Sequence, residues 1–377
     1  MTVERTCDVV VIGGGLHGLS AALHLARSGR RVIVLERWWV GRHASGASAA
    51  GVRTLNRDFA EMPIALEAIE MWHGIAKLVG DGCGFTAHGQ IRVAERADQV
   101  AALEARAAEG RRRGYDNEEV IDRAELRRLV PAISPHCVAA LIARRDGAAD
   151  PHRTLKAFRL SCEAAGVEII EGCGVTAIER KGSDWRVRAG DRAFITPAVV
   201  NAAGAWAGRI AAMIGDVIPL GHKASMMIVT ERLAPWLDPV VSAVGRSLSF
   251  KQSDKGTLVI GGGLQGHADL DTLKSSVDFV ALARGARAAT ELFPSVRDVR
   301  IVRAWTGMEA KTGDLLPVIG PSPGASGVYH AFGFSGHGFE LVPVVGAILR
   351  DLIVDGATNR PIAALAPERL MTIKAAA

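Results

Sequence analysis

The sequence predicts an α/β protein in two parts. One is a Rossmann-like nucleotide-binding domain assembled from separated segments; the other is an inserted α+β substrate domain with a mainly antiparallel sheet. Three observations carry this. At the N-terminus, Cys7–Ala26, branched apolar residues enter a glycine turn and then an apolar-periodic helix. Small-residue or glycine-rich turns leading into helices recur far along the chain, at Asn201–Trp206 and Gly333–Glu340. Between them lie several short strand-like runs bounded by turn residues. The nucleotide-binding domain is expected in residues 1–84, 140–215 and 305–377, and the substrate domain in 85–139 and 216–304.

Val9–Ile12 reads as a parallel strand buried on both faces, because four branched apolar residues stand in a row. Gly13, Gly15 and Gly18 then fill the slots of G-x-G-x-x-G. The first permits a tight turn, the second lets a pyrophosphate approach the backbone, and the third lets helix and strand pack closely. Phosphates would meet the free amides of the helix Leu16–Ala26, whose dipole favours negative charge at that end. Ser28-Gly29 closes the helix. Arg31–Leu35 reads as the next strand and ends in Glu36, where a carboxylate can bind a ribose hydroxyl. Leu258–Gly266, LVIGGGLQG, repeats nearly the same letters, but Asp269 and Asp271 follow where phosphates need open amides. It reads as a strand ending in a glycine turn.

Trp38–Gly51 is a small-residue loop; it either lies against a planar ring, with Ser45, Gly46 and Ser48 offering donors, or is simply flexible. Helical spacing marks Phe59–Val79, Ala97–Arg112, Arg123–Leu129, Thr272–Leu292 and Leu341–Val354. Asp150–Ala165 is helical too, with Pro151 at a favoured first position. Strands are expected at Gly89–Ala94, Val167–Ile170, Val175–Glu179, Trp185–Val187, Ala198–Val200, Lys223–Thr230, Leu258–Ile260, Pro317–Gly320 and Val328–Ala331.

With 377 residues, 49% hydrophobic and 23% charged, the chain fits a soluble globular enzyme with room for two domains. Five scattered cysteines without a C-x-x-C pair argue against a zinc site or disulfide scaffold and suit a reducing compartment. No apolar stretch reaches membrane-spanning length, and the N-terminal apolar run is too short for a secretory signal. A cytoplasmic location is expected. The net charge of +5 invites nucleic acid, yet Arg111–Arg113 is answered by Asp116, Glu118 and Glu119, and aromatic residues make up only 5%. A solvated helix end explains that cluster. No Ser/His/Asp set or metal cluster is evident.

The segments VVVIGGGLHGLSAALHLARSGRRVIVLER, VVNAAGAWAGRIAAMIG, LLPVIGPSP and FGFSGHGFELVPVVG, in this order and spacing, resemble the D-amino-acid oxidase superfamily of flavoproteins. That superfamily includes glycine oxidase, sarcosine oxidase and the β subunits of heteromeric amino-acid and opine dehydrogenases. The likeness covers nearly the whole chain and thins over roughly 85–140 and 230–300. The loop GRHASGASAAGVRTLNRD looks most like opine and hydroxyproline dehydrogenase β subunits, which implies partner subunits. No nucleic-acid partner is expected.

The resemblance implies non-covalently bound FAD. It also implies oxidation of the C–N bond of an amino acid or secondary-amine amino acid such as an opine, sarcosine or hydroxyproline. The amine enters unprotonated, its α-hydrogen passes as hydride to the flavin, and the imine hydrolyses. Carried over, the pyrophosphate falls to Gly13, Gly15 and Gly18, and the ribose to Glu36, with Arg37 beside the adenine and Val175 holding it through its backbone. Arg42, His43, Ser45, Gly46 and Ser48 fall beside the isoalloxazine, as does the Gly336–Gly338 turn, whose amides would stabilise reduced flavin. Further cofactor contacts are expected at Leu16, His17, Ala203, Gly204, Trp206, Gly307, Gly333, Ser335, His337 and Phe339.

Catalytic roles are expected for Glu309, His337 and Lys223. Trp305–Leu316 lacks the cysteine that anchors flavin covalently in sarcosine-oxidase-like members. It reads Gly307-Met308-Glu309-Ala310 where many oxidases carry a carboxylate-binding arginine. Glu309 therefore either pairs internally, with Lys311 or Arg303, or meets a cationic part of the substrate, as in basic amino acids or arginine-derived opines. In the second case the substrate carboxylate falls to Arg53, Arg57 or Lys223. His152 lies near the position used for FMN attachment in heterotetrameric sarcosine oxidase β subunits, although a surface histidine after a helix-starting proline is the favoured reading. Two other classes stand beside the first: a flavin-dependent tRNA-modifying enzyme and an NAD-dependent dehydrogenase.

Overall fold

The computed structural model describes residues 3–371. A six-stranded sheet runs in the order Val318–Pro321, Val328–Phe332, Ala198–Asn201, Val9–Ile12, Val32–Leu35, Glu168–Ile170. All neighbours are parallel except the pair Val318–Pro321 and Val328–Phe332. Segments from both ends and the middle of the chain thus meet in one sheet. Val9–Ile12 is apolar without interruption because each of its faces meets a different layer. Val9 and Val11 pack with Leu19, Phe158 and Val345 of the helices Leu16–Arg27, Pro151–Ala164 and Val342–Val354. Val10 and Ile12 pack with Val187 and Phe194, which come from a four-stranded sheet covering the other side.

An eight-stranded sheet forms the second layer system. Its order is Ile301–Lys311, Gly221–Arg232, Thr257–Gly261, Ser249–Gln252, Val240–Ala243, Gln90–Ala94, Ala139–Ala143, Glu119–Asp122. It is antiparallel apart from the pair Val240–Ala243 and Gln90–Ala94. Its own core joins Ile91, Met226, Ile228, Phe250 and Ile260 to Phe293. Ala139–Ala143 and Ile301–Lys311 are whole strands of this sheet, so lines drawn at 139/140 and 304/305 cut through it.

Several elements differ from the sequence expectation. Phe59–Val79 is two helices, Met62–His73 and Ile75–Val79, broken at Gly74, a poor helix residue whose amide turns back to the carbonyls of Glu70 and Met71. The helix expected from Thr272 begins at Phe279, where the Asp278 carboxylate accepts from Ala281 N at 2.7 Å. Lys274–Ser276 instead pairs with His267–Asp269. Thr257–Gly261 is a strand that ends at Gly262 and Gly263 with φ of +89° and +102°, as the misleading glycine run suggested. Arg192–Thr196 and Ile301–Lys311 are strands that sequence reading did not place. The five cysteines are free and buried. Among the described residues no helix is long and apolar enough to cross a membrane.

Candidate cofactor and substrate site

The N-terminal glycine turn is a steric necessity at two of its three slots. Gly13 has φ +111°, and a Cβ there would overlap the Ala202 carbonyl, whose carbon would lie 2.8 Å away. A Cβ at Gly18 would overlap the Gly13 carbonyl oxygen, so helix and strand touch backbone to backbone. Gly15 is different. It caps the helix with φ −77°, and a Cβ would meet only Ser45 Oγ, at 3.1 Å. Its missing side chain leaves room toward a cleft. Leu16 N donates to Ser45 Oγ at 3.0 Å, so a hydroxyl stands where a phosphate oxygen would meet the helix end. Gly14 N and Trp38 N donate to the Glu36 carboxylate at 2.7 and 2.9 Å. Burial raises the pKa of Glu36 against those amides.

A cleft of about 560 Å³ extends from this turn to the eight-stranded sheet. Every expected cofactor or catalytic residue lines it except Gly18, which lies beneath the turn, and Gly46, where a Cβ would overlap the Gly41 carbonyl. One wall is aromatic: Trp38, His43 and Trp206 have ring centroids 4.7–5.2 Å apart. Burial pushes His43 down to about 4, and its buried Nε2 has no hydrogen-bond partner among the described residues. A neutral imidazole with an open nitrogen is a position for a ligand to complete. Trp305 Nε1 donates to Ala47 O at 3.0 Å, and a Cβ on Gly307 would collide with that of Ala47. The loop is thereby fastened to the sheet above it. His152 is exposed, its amide donates to Asp150 at 2.8 Å, and it does not line the cleft.

The turn Gly333–Glu340 closes the far wall. Phe334 stacks on His17 with centroids 3.6 Å apart, and burial pushes His17 down to about 3. His337 N donates to Phe334 O at 3.0 Å, so this one of the expected anion-stabilising amides is already occupied. Beneath lies Arg57, buried, donating to His337 O at 2.9 Å and Arg53 O at 3.1 Å. It also pairs with Glu61 at 3.1 Å and with Glu340. Glu61 in turn meets His337 Nε2 at 2.9 Å. Arg57 is thus committed to the scaffold and is not open to a substrate carboxylate.

Glu309 lies opposite Lys223 in the sheet register and accepts from Ser225 Oγ. Lys223 Nζ donates to Ser335 O at 2.9 Å. A Cβ on Gly336 would stand 3.5 Å from Glu309 Oε1 and 3.6 Å from Lys223 Nζ, so acid and base flank the same turn. Burial raises the pKa of Glu309, opposed by Ser225 and Lys223. The internal partners expected for it, Arg303 and Lys311, are corrected: neither pairs with it among the described residues. Arg303 is six strand positions away, roughly 20 Å, and Lys311 is exposed at the strand end. Ser225 escaped sequence reading because a cross-strand neighbour is visible only once register is known.

Comparison with known proteins agrees with this geometry. A family model described as FAD dependent oxidoreductase matches residues 8–352. The beta-subunit of sarcosine oxidase from Rhizobium meliloti is 26% identical over 370 residues, spanning 96% of this chain and 88% of that protein. The B-subunit of opine oxidase from Agrobacterium tumefaciens is 28% identical over 335 residues, spanning 84% and 86%. The solved structure of L-proline dehydrogenase from P. horikoshii is similar with a TM-score of 0.91 at 26% identity, covering 97% of this chain and 98% of that one. The glycine cradle, the helix end met by Ser45 and the open His43 nitrogen fit a flavin dinucleotide, and the matched residues contain all three. The chain belongs to the FAD dependent oxidoreductase family, with FAD as its cofactor.

Proposed function

We propose that the chain oxidises the C–N bond of an amino acid or secondary-amine amino acid of the sarcosine, opine or hydroxyproline type, giving an imine that hydrolyses. The observation that carries this reading is the Glu309, Lys223 and Ser225 group, which lines the same cleft as the glycine cradle. The amine-oxidising names of the relatives support it over an NAD-dependent dehydrogenase or a tRNA-modifying flavoenzyme. FAD, when bound, supplies the hydride acceptor. Gly13, Gly15, Leu16 and Ser45 would hold its phosphates and Glu36 its ribose. Trp305–Leu316 offers no cysteine for a covalent link, which supports non-covalent attachment.

The chain's own residues bind, orient and desolvate. Half-buried Glu309 provides a carboxylate for the substrate's amine or a cationic side chain, and Lys223, tethered to Ser335, fixes a positive charge beside Gly336. His337, set by Glu61, lines the cleft, and burial lowers its pKa against the pull of that carboxylate. Relatives named as subunits of larger oxidases support a β-type chain with partner subunits. Five free cysteines support a reducing, cytoplasmic setting.

The test is anaerobic bleaching of the purified holoprotein by a panel of sarcosine, hydroxyproline, amino acids of both hands and opines. Failure of every amine to reduce the flavin would end the proposal. Glu309→Gln should raise KM for a cationic substrate about 10- to 100-fold, the loss of a charge-assisted hydrogen bond, and leave a neutral analogue nearly unchanged. Equal losses on both would make Glu309 a prop of the fold.

A further inference from the structure

An amino acid reaches the protein as an ammonium ion, yet its α-hydrogen leaves as hydride only when the nitrogen lone pair is free to form the imine. A proton acceptor in the cleft would release that pair, and few groups there can serve. Two acids and three histidines line it among the described residues. Glu36 has both oxygens occupied, by Gly14 N and Trp38 N. His17 is stacked on Phe334, His43 lies in the aromatic wall, and His337 is bonded to Glu61. Burial acts with opposite sign on the two residue types. It lowers all three histidines, His17 to about 3 and His43 to about 4, and it raises Glu309. A proton passed to those histidines goes uphill, whereas a raised carboxyl holds it.

The surroundings of Glu309 suit it to the task. Its Oε1 accepts from Ser225 Oγ, which fixes the orientation of the carboxylate. Its Oε2 makes no hydrogen bond among the described residues and is not one of the buried unpartnered atoms, so a lone pair is open to the cleft. Lys223 stands opposite in the strand register, donates to Ser335 O at 2.9 Å and forms no ion pair among the described residues. Its cation flanks the same turn at Gly336 and disfavours a second cation there, which pushes an ammonium toward giving up a proton. The other charges are committed elsewhere. Arg57 and Glu61 lie beneath the turn with His337, and Arg53 donates to Leu55 O. On Glu309's own strand, Arg303 and Lys311 make no bond to it.

We infer that Glu309 takes the proton of the bound ammonium, with Ser225 as its positioning residue. The N–H bond breaks, an O–H bond forms at Oε2, and the electron pair stays on nitrogen. That pair becomes the second bond of the carbon–nitrogen double bond as the α-hydrogen leaves with its own pair to FAD. The proton on Glu309 returns to water when the product leaves. The inference rests on the amine-oxidation reading and adds the form in which substrate is bound: the zwitterion enters, and its amine is neutralised inside the cleft.

The test is the rate of anaerobic flavin reduction by sarcosine, proline and opines, followed across the neutral and alkaline range. Wild type should level off well below the pKa of the free amine. Glu309→Gln should be about 100-fold slower at neutral pH, within the roughly 10²–10⁴ of a positioned base, and gain about tenfold per pH unit up to the amine's own pKa. A weakly basic analogue measured above its pKa, 4,4-difluoroproline against proline or N-(2,2,2-trifluoroethyl)glycine against sarcosine, should lose less than about 3-fold. Ser225→Ala should move the wild-type limb up by about 1 pH unit, because a donor to the carboxylate is gone. In the infrared, binding of 2-aminoisobutyrate, which has no α-hydrogen to lose, should raise a protonated-carboxyl band that Glu309→Gln lacks. A variant with the wild-type pH profile, equal losses on both members of a pair, or no such band would overturn the proposal. Should Glu309→Gln fail to fold or hold FAD, Glu309→Asp and Ser225→Ala carry the same comparisons. Amines that reduce the flavin without dependence on Glu309 would remove only this role. A flavin that no amine reduces, beside a carboxyl band that depends on Glu309, would sink the reaction and support the proton transfer.

Discussion

The three glycines of the N-terminal turn should separate folding from cofactor retention when each is given a methyl group. At Gly15 the backbone is already in a region open to any residue, and the nearest obstacle is Ser45 Oγ at 3.1 Å. Ala at this N-cap should cost the apoprotein about 1 kcal/mol, roughly 2 °C in a chain of this size. The same methyl group stands between the helix amides and a pyrophosphate. Losing one charge-assisted N–H···O bond, about 1.5–3 kcal/mol, raises Kd for FAD some 10- to 100-fold. At Gly18 the order reverses, because the added carbon lies well inside van der Waals contact of the Gly13 carbonyl, and backbone must move. Gly18→Ala should cost the apoprotein about 1–3 kcal/mol or more. Deflavinated protein would be melted with and without added FAD, and Kd measured by quenching of flavin fluorescence. Wild-type FAD affinity in Gly15→Ala, or an apo Gly18→Ala as stable as wild type, would refute the assignment of phosphate cradle and packing contact respectively.

Acid should destabilise the fold through three desolvated histidines before the exposed carboxylates titrate. Burial pushes His17 to about 3 and His24 and His43 to about 4, below the unfolded value of 6.5, so the stability they confer is full above pH 6.5 and drains as pH falls toward 4. At about 1.36 kcal/mol per pH unit, His24 alone accounts for roughly 3 kcal/mol, and urea unfolding of His24→Gln should show a flatter acid limb. An unchanged limb would contradict this. Arg57→Met should cost about 3–5 kcal/mol, since it strands buried Glu61 and Glu340 without their partner. A neutral effect in chemical denaturation would show that the network contributes no net stability.

What the sequence discloses depends on how far apart the interacting residues lie along the chain. Val9–Ile12 announces itself because burial on two faces removes any polar alternation, and Gly13 and Gly18 are forced by contacts within a few residues and one neighbouring strand. Ile301–Lys311 does not, because it is an edge strand with exposed Ile301, Val302 and Arg303, and edge residues need no apolar pattern. The residue type of Glu309 is informative by itself, but its partner is not. Its pairing with Ser225 and Lys223 depends on a register that slips between Val229 and Thr230 on the opposing strand, and one residue of slip would turn another face toward it. The cofactor end of the cleft is therefore legible from local glycines. The substrate end is assembled across a sheet whose register no local pattern records.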